Sequence, residues 1–194
     1  MEEVEITLRP AVREDAPAIA ALYRISSGGV ADYIWQKLAE PGESPLEVGI
    51  RRYARQGTAF SYENCLIADN RGTQVGMINA FAIHEPTDPA ANAEEDPVLR
   101  PYAELEVPGS LYISGVALLP AYRGRGIGTR MIRAMHERAR REGLPKLSLI
   151  AFAENQASVR LYERLGYLVV DRRPVVPHLL IRYGGEALLM VASA

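Results

Sequence analysis

The run Leu118-Leu119-Pro120-Ala121-Tyr122-Arg123-Gly124-Arg125-Gly126-Ile127-Gly128-Thr129 closes an apolar segment and opens an amphipathic one. Glycines at such a junction let backbone N–H groups crowd a bound anion, and a helix beginning there presents its positive end to it. A phosphate is the natural guest. Two familiar glycine loops do not fit. A Walker A loop needs a Gly-Lys pair followed by Ser or Thr, and the chain has no Gly-Lys pair. The dinucleotide fingerprint would read Gly124, Gly126 and then Thr129, so its third glycine fails, and the unit comes late in the chain rather than first.

Outward from this turn, Leu111 to Leu119 reads as a buried strand ending at Pro120. A helix from Thr129 to about Glu142 carries the stripe Ile127, Met131, Ile132, Met135 and Ala139 and is closed by Gly143 and Pro145. Leu147 to Phe152 is a further strand, Gln156 to Leu165 a helix stopped by Gly166, and Tyr167 to Val170 and Ala187 to Val191 two last strands. On the N-terminal side, Val4 to Leu8 alternates as a strand, and a helix follows with Asp15 as its cap and Ile19, Leu22, Tyr23 and Ile25 on one face. Weaker helices are predicted near Asp32 to Ala39 and Pro45 to Gln56, then a hairpin of Cys65 to Ala68 and Val75 to Phe81. Residues 84 to 110 carry five prolines and the acidic cluster Glu94-Glu95-Asp96 without a period, which predicts a long loop. The order implies a mixed sheet with a parallel βαβ portion in its second half.

Composition narrows the function classes. The 194 residues, 48% hydrophobic and 24% charged, suit one globular α/β domain over residues 1–194. A net charge of −2 lacks the field of a nonspecific nucleic-acid binder, and no apolar run approaches the roughly 20 residues that span a bilayer. The acidic start Met1-Glu2-Glu3-Val4-Glu5 is unlike a secretory signal, so a cytoplasmic location is expected. Cys65 is the only cysteine and reads as a packed thiol; His84, His136 and His178 form no metal-ligand spacing, so no metal is expected. Residues 1–100 hold 9 basic and 16 acidic side chains, net −7, and residues 101–194 hold 13 and 8, net +5, so the second half is where an anion would sit.

The pattern Arg-x-x-Gly-x-Gly, here Arg123, Gly126 and Gly128, resembles the signature turn of the GNAT superfamily, the GCN5-related N-acetyltransferases. A second stretch, Glu154-Asn155-Gln156-Ala157-Ser158-Val159-Arg160-Leu161-Tyr162-Glu163-Arg164-Leu165-Gly166-Tyr167, is similar to the other recurring segment of that family, an Asn and an Ala followed by a Tyr and then by Gly-Phe or Gly-Tyr. The resemblance runs from Ile6 to the final strands. It is faint over residues 26–60 and 84–110, the stretches in which the family varies and from which it builds its acceptor pocket.

The resemblance implies a single GNAT-type domain, a mixed six- or seven-stranded sheet with helices on both faces and a splayed central pair of parallel strands. It implies acetyl-CoA as co-substrate, its pantetheine lying along the backbones of Val116 and Leu118 like an added strand and its diphosphate wrapped by Arg123, Gly124, Arg125, Gly126, Ile127, Gly128 and Thr129. Arg125 either adds a charge-assisted contact or points into solvent.

Acetyl transfer to a primary amine, by direct attack in a ternary complex, needs a neutral nucleophile, a polarised carbonyl and a proton for the departing thiolate. A backbone N–H near Leu118 suits the second task. Tyr162 stands at the family's general-acid position, although its spacing also fits a core tyrosine on the stripe Val159, Tyr162, Leu165. Asn155 either caps its helix or contacts the co-substrate. Glu104 and Glu106 alternate around Leu105, which predicts one face of carboxylates toward the thioester, with Glu106 preferred as base, a water relay as an option, and Ser114 helping to hold the water. The competing reading is two solvated charges. The expected partner is a small-molecule or peptide amine, with no nucleic acid or membrane; a homodimer fits the family. A non-catalytic acyl-CoA-binding sensor on the same fold is the alternative.

Overall fold

The computed structural model describes residues 5–84 and 96–194, so the predicted start of the first strand at Val4 and the acidic pair Glu94-Glu95 lie outside the described residues. Seven strands are hydrogen-bonded in the order β1-β2-β3-β4-β5-β7-β6, a mixed sheet as expected. They are β1 (Ile6–Pro10), β2 (Cys65–Asn70), β3 (Thr73–Ile83), β4 (Ser110–Leu118), β5 (Lys146–Phe152), β6 (Leu168–Pro174) and β7 (Glu186–Ser193). The helices are α1 (Ala16–Ser26), α2 (Val30–Leu38), α3 (Pro45–Tyr53), α4 (Arg100–Ala103), α5 (Ile127–Arg141) and α6 (Gln156–Arg164). Chain contacts group these residues into two compact units, 1–80 with 115–133 and 81–114 with 134–194. The strands β3 and β4 and the helix α5 each run from one unit into the other.

In the first unit β1 and β2 pair antiparallel from Ile6↔Asn70 to Pro10↔Leu66, and β2 pairs with β3 from Cys65↔Asn79 to Asn70↔Thr73 around the turn at Arg71-Gly72. Ile19, Ala20 and Leu22 of α1, Trp35 of α2 and Val48 and Tyr53 of α3 share a buried core with Ile67 and Met77 of the sheet. α1 lies close on β4: a Cβ on Gly115 would stand 2.7 Å from Ser26 Oγ and 2.9 Å from the Tyr23 ring, so only glycine admits this approach.

Asp15 departs from its expected role. It precedes α1 but makes no side-chain cap; both its oxygens accept from Arg9, at 2.7 and 2.9 Å, and Oδ2 also accepts from the Val12 amide at 2.8 Å. A buried carboxylate pairs with the nearest guanidinium before it serves a helix end.

In the second unit β4 and β5 run parallel, in register from Ser110↔Lys146 to Ile113↔Leu149; β4 then continues to Leu118 and β5 to Phe152. β7 pairs antiparallel with β5 and with β6. Leu147, Leu149, Met190, Met135, Ala139 and Tyr167 are fully or nearly fully buried here. The stretch before β4 corrects an expectation. Residues 99–106 are wound by the bonds Ala103 N to Leu99 O, Glu104 N to Arg100 O and Leu105 N to Tyr102 O, so Glu104 and Glu106 do not alternate as on a strand and share no face on that account.

Candidate functional site

The glycine turn has the shape its sequence predicts. Gly124 and Gly126 take φ of +72° and +76°, conformations that L side chains rarely adopt, and a Cβ at either would meet nothing within 4 Å. The space beside both glycines is therefore open. Buried Ile127, Met131 and Ile132 fasten α5 behind it, and the first intrahelical bond runs from Arg130 N to Gly126 O at 3.1 Å. The amides opening α5, those of Ile127, Gly128 and Thr129, have no acceptor within the helix and carry its positive end.

Side chains brace this turn within the first unit. Arg123 Nε donates to the Leu118 carbonyl at 3.1 Å, Arg130 Nη2 to the Ile6 carbonyl at 3.1 Å, and Asn70 Nδ2 to the Tyr122 hydroxyl at 3.0 Å. The Arg125 guanidinium carbon lies 5.9 Å from the centre of the Tyr122 ring, a cation–π contact that holds the charge near the turn. Val116 and Leu118, on the half-buried face of β4, belong to this group, and β4 is tied to β3 by Leu119 N donating to Val75 O at 2.9 Å.

The remaining predicted residues lie in the second unit. Tyr162 is half-buried on α6, its ring 5.9 Å from that of Tyr167. Burial pushes its phenol up to about 12, so it stays protonated at neutral pH. The helix end is fixed by Tyr167 N donating to Tyr162 O at 3.0 Å and Gly166 N to Glu163 O at 3.0 Å, a Schellman closure over Gly166 at φ +87°. Asn155 is the N-cap of α6, its Oδ1 accepting from Ser158 N at 3.3 Å.

The two carboxylates have different surroundings. Glu104 Oε2 accepts from Arg173 Nε at 2.7 Å, and Arg173 also donates to Asp171 at 2.7 Å. Glu106 is exposed as a residue, yet the desolvation of its carboxyl pushes it above its ordinary value. Sequence reading missed Arg173, which it left in a loop after a short strand, and Arg52, which lies in the stretch where the resemblance is faint. Among the described residues no group of three or more His, Cys, Asp or Glu is placed to hold a metal, and no helix is long and apolar enough to cross a membrane.

Comparison with known proteins gives the same family. The model of the acetyltransferase (GNAT) family matches residues 32–167. The uncharacterized N-acetyltransferase YdgE of Bacillus subtilis is 36% identical over 62 residues, 32% of this chain and 40% of YdgE; the chain spans less than half the length of the curated relatives it matches. Among solved structures, the polyamine N-acetyltransferase of Drosophila melanogaster superposes with a TM-score of 0.72 at 21% identity over 98% of this chain and 100% of the other. The acetyltransferase yncA of Salmonella typhimurium, solved with acetyl-CoA, superposes with a TM-score of 0.62 at 19% identity over 97% and 94%. The matched family model covers well over half of the sequence, and the chain belongs to the GNAT acetyltransferase family.

Proposed function

We propose that the protein is an N-acetyltransferase that moves the acetyl group of acetyl-CoA to a primary amine by direct attack in a ternary complex. The observation that carries this reading is the open, glycine-lined turn at the positive end of α5. The chemistry suits a diphosphate: uncrowded backbone at Gly124 and Gly126, the unpaired amides that open α5, and the charges of Arg123 and Arg125 in the same turn. Acetyl-CoA, when bound, supplies an activated acyl group as a thioester.

In this reading Arg123, Gly124, Arg125, Gly126, Ile127, Gly128 and Thr129 hold the diphosphate, and Asn155 supports the co-substrate in addition to capping α6. The backbones of Val116 and Leu118 pair with the pantetheine, and an N–H near Leu118 polarises the carbonyl.

Tyr162 gives its proton to the leaving sulfur. A phenol near 12 and a thiol near 8.5 differ by about 3.5 in pKa, so complete transfer in isolation is uphill by about 5 kcal/mol. That is a modest part of the roughly 16 kcal/mol barrier of a step at about 10 per second, and the phenolate regains its proton from Glu106 through water once the thiol has left. Glu106 takes the proton of the attacking amine, directly or through water. Its raised pKa makes it a stronger base than an ordinary carboxylate, whereas Glu104 is held in its pair with Arg173.

Calorimetry with acetyl-CoA, and turnover of an amine panel read as free thiol, test the proposal. Tyr162→Phe is expected to bind acetyl-CoA like the parent and turn over about 100-fold more slowly. Binding without turnover of any amine by the parent would instead favour the sensor.

A further inference from the structure

In the first unit a half-buried guanidinium, that of Arg52, lies against an aromatic cluster and has no hydrogen-bond acceptor among the described residues. The helices of this unit enclose the cluster: ring centres of Tyr23 and Tyr53 lie 5.6 Å apart, Tyr23 and Phe60 5.9 Å, and Tyr53 and Phe60 6.4 Å. Tyr53 is 1% exposed, so its hydroxyl is closed to an incoming molecule. Beside it on α3, half-buried Arg52 lies with its guanidinium carbon 5.7 Å from the centre of the same Phe60 ring.

Among the described residues Arg52 has no carboxylate within ion-pair distance, unlike its neighbour Arg51, which holds both oxygens of Glu43 at 2.9 Å. Burial, and then the charge of Arg55, lower the Arg52 guanidinium from its ordinary value, so its surroundings are short of negative charge. The Arg52 guanidinium and the Tyr53 ring both lie near the Phe60 ring, and Tyr23, whose ring neighbours those of Tyr53 and Phe60, packs on Gly115 in β4. Gly115 immediately precedes Val116, to which the proposed function gives the pantetheine.

We propose that Arg52 binds a carboxylate of the acceptor, so that the substrate class is an amine that also carries a carboxylate, such as an amino acid. This rests on the acetyltransferase reading. A planar guanidinium offers two parallel donors to the two oxygens of a carboxylate, and one positive charge neutralises a monoanion better than a phosphate dianion. The same charge repels a second ammonium, which disfavours polyamines.

The test uses the full chain saturated with coenzyme A. Calorimetric titration compares N-acetyl-alanine, N-acetyl-leucine and N-acetyl-phenylalanine, each as the free acid and as its neutral amide. At least one acid is expected to bind 10-fold or more tightly than its amide, and Arg52→Gln to abolish the difference. Arg52→Lys, which keeps the charge but loses the fork, is expected to retain only part of it. Equal binding of acids and amides by the parent, or a full preference surviving in Arg52→Gln, overturns the inference. Coenzyme A binding separates the two failures: its absence strikes the proposed function, whereas normal binding without acid-over-amide discrimination strikes only the carboxylate site.

Discussion

Arg123 Nε donates to the carbonyl oxygen of Leu118 at 3.1 Å, which folds the glycine turn back onto the last residue of β4. One side chain thus links the two segments assigned to opposite ends of the co-substrate. Arg123→Ala removes both a charge near the diphosphate and the brace on the turn. Calorimetry is expected to show at least a 10-fold loss of coenzyme A affinity, about 1.4 kcal/mol. Arg133→Ala, on the exposed face of α5, serves as the control and is expected to leave affinity within twofold.

Gly126 at φ +76° is the second test of the turn. A β-branched residue there costs roughly 1–2 kcal/mol of backbone strain, and its methyl groups enter the space proposed for the anion. Gly126→Val is expected to lower Tm by about 2–8 °C and coenzyme A affinity by 10-fold or more. Gly143→Ala, at φ +70° beyond the end of α5, imposes similar strain elsewhere. It is expected to lower Tm alike and leave affinity intact; an equal loss of affinity there would mean that strain, not the site, is being read.

Legibility in the sequence followed the physical origin of each feature. The β4 turn and α5 could be read because apolar runs and positive-φ glycines are local signals, and Ile127, Met131, Ile132, Met135 and Ala139 are all buried as the stripe predicted. The end of β6 was missed because Asp171, Arg172 and Arg173 are poor strand formers; ladder bonds to β7 and the pair with Glu104 hold them extended. Glu104-Leu105-Glu106 misled because one buried residue between two exposed ones suits a strand and a helical turn alike. Arg52, Tyr53 and Phe60 gave no signal, since a contact made by a helix and a following loop has no period to betray it.

Arg9 and Asp15 set the acid stability of the first unit. Asp15 is 3% exposed and its carboxyl is held below the ordinary value, first by hydrogen bonds from Arg9. A carboxyl depressed by folding stabilises fully above its unfolded pKa of about 3.9 and loses that contribution as pH falls through the folded value. Asp15→Asn breaks the pair and leaves the Arg9 charge one-third exposed, for an expected loss of about 2–3 kcal/mol at pH 7. Urea midpoints measured from pH 7 down to pH 3 are expected to fall less steeply for the variant; identical slopes would remove Asp15 from the acid transition.

Glu106 decides the acid limb of the proposed reaction. Desolvation raises its carboxyl, and a general base works only when deprotonated, so the rate is expected to fall on acidification at a pH above the ordinary glutamate value near 4.3. The alkaline side has a different origin. Tyr162, near 12, keeps its proton throughout the accessible range, so no loss of acid catalysis is expected between pH 7 and 10. Glu106→Gln is expected to lower kcat about 100-fold and to remove the acid limb, with coenzyme A affinity unchanged. Glu104→Gln frees Arg173 and is expected to leave the limb where it is. If the limb persists in Glu106→Gln and disappears in Glu104→Gln, the base is the carboxylate paired with Arg173, and that pair must open before the amine gives up its proton.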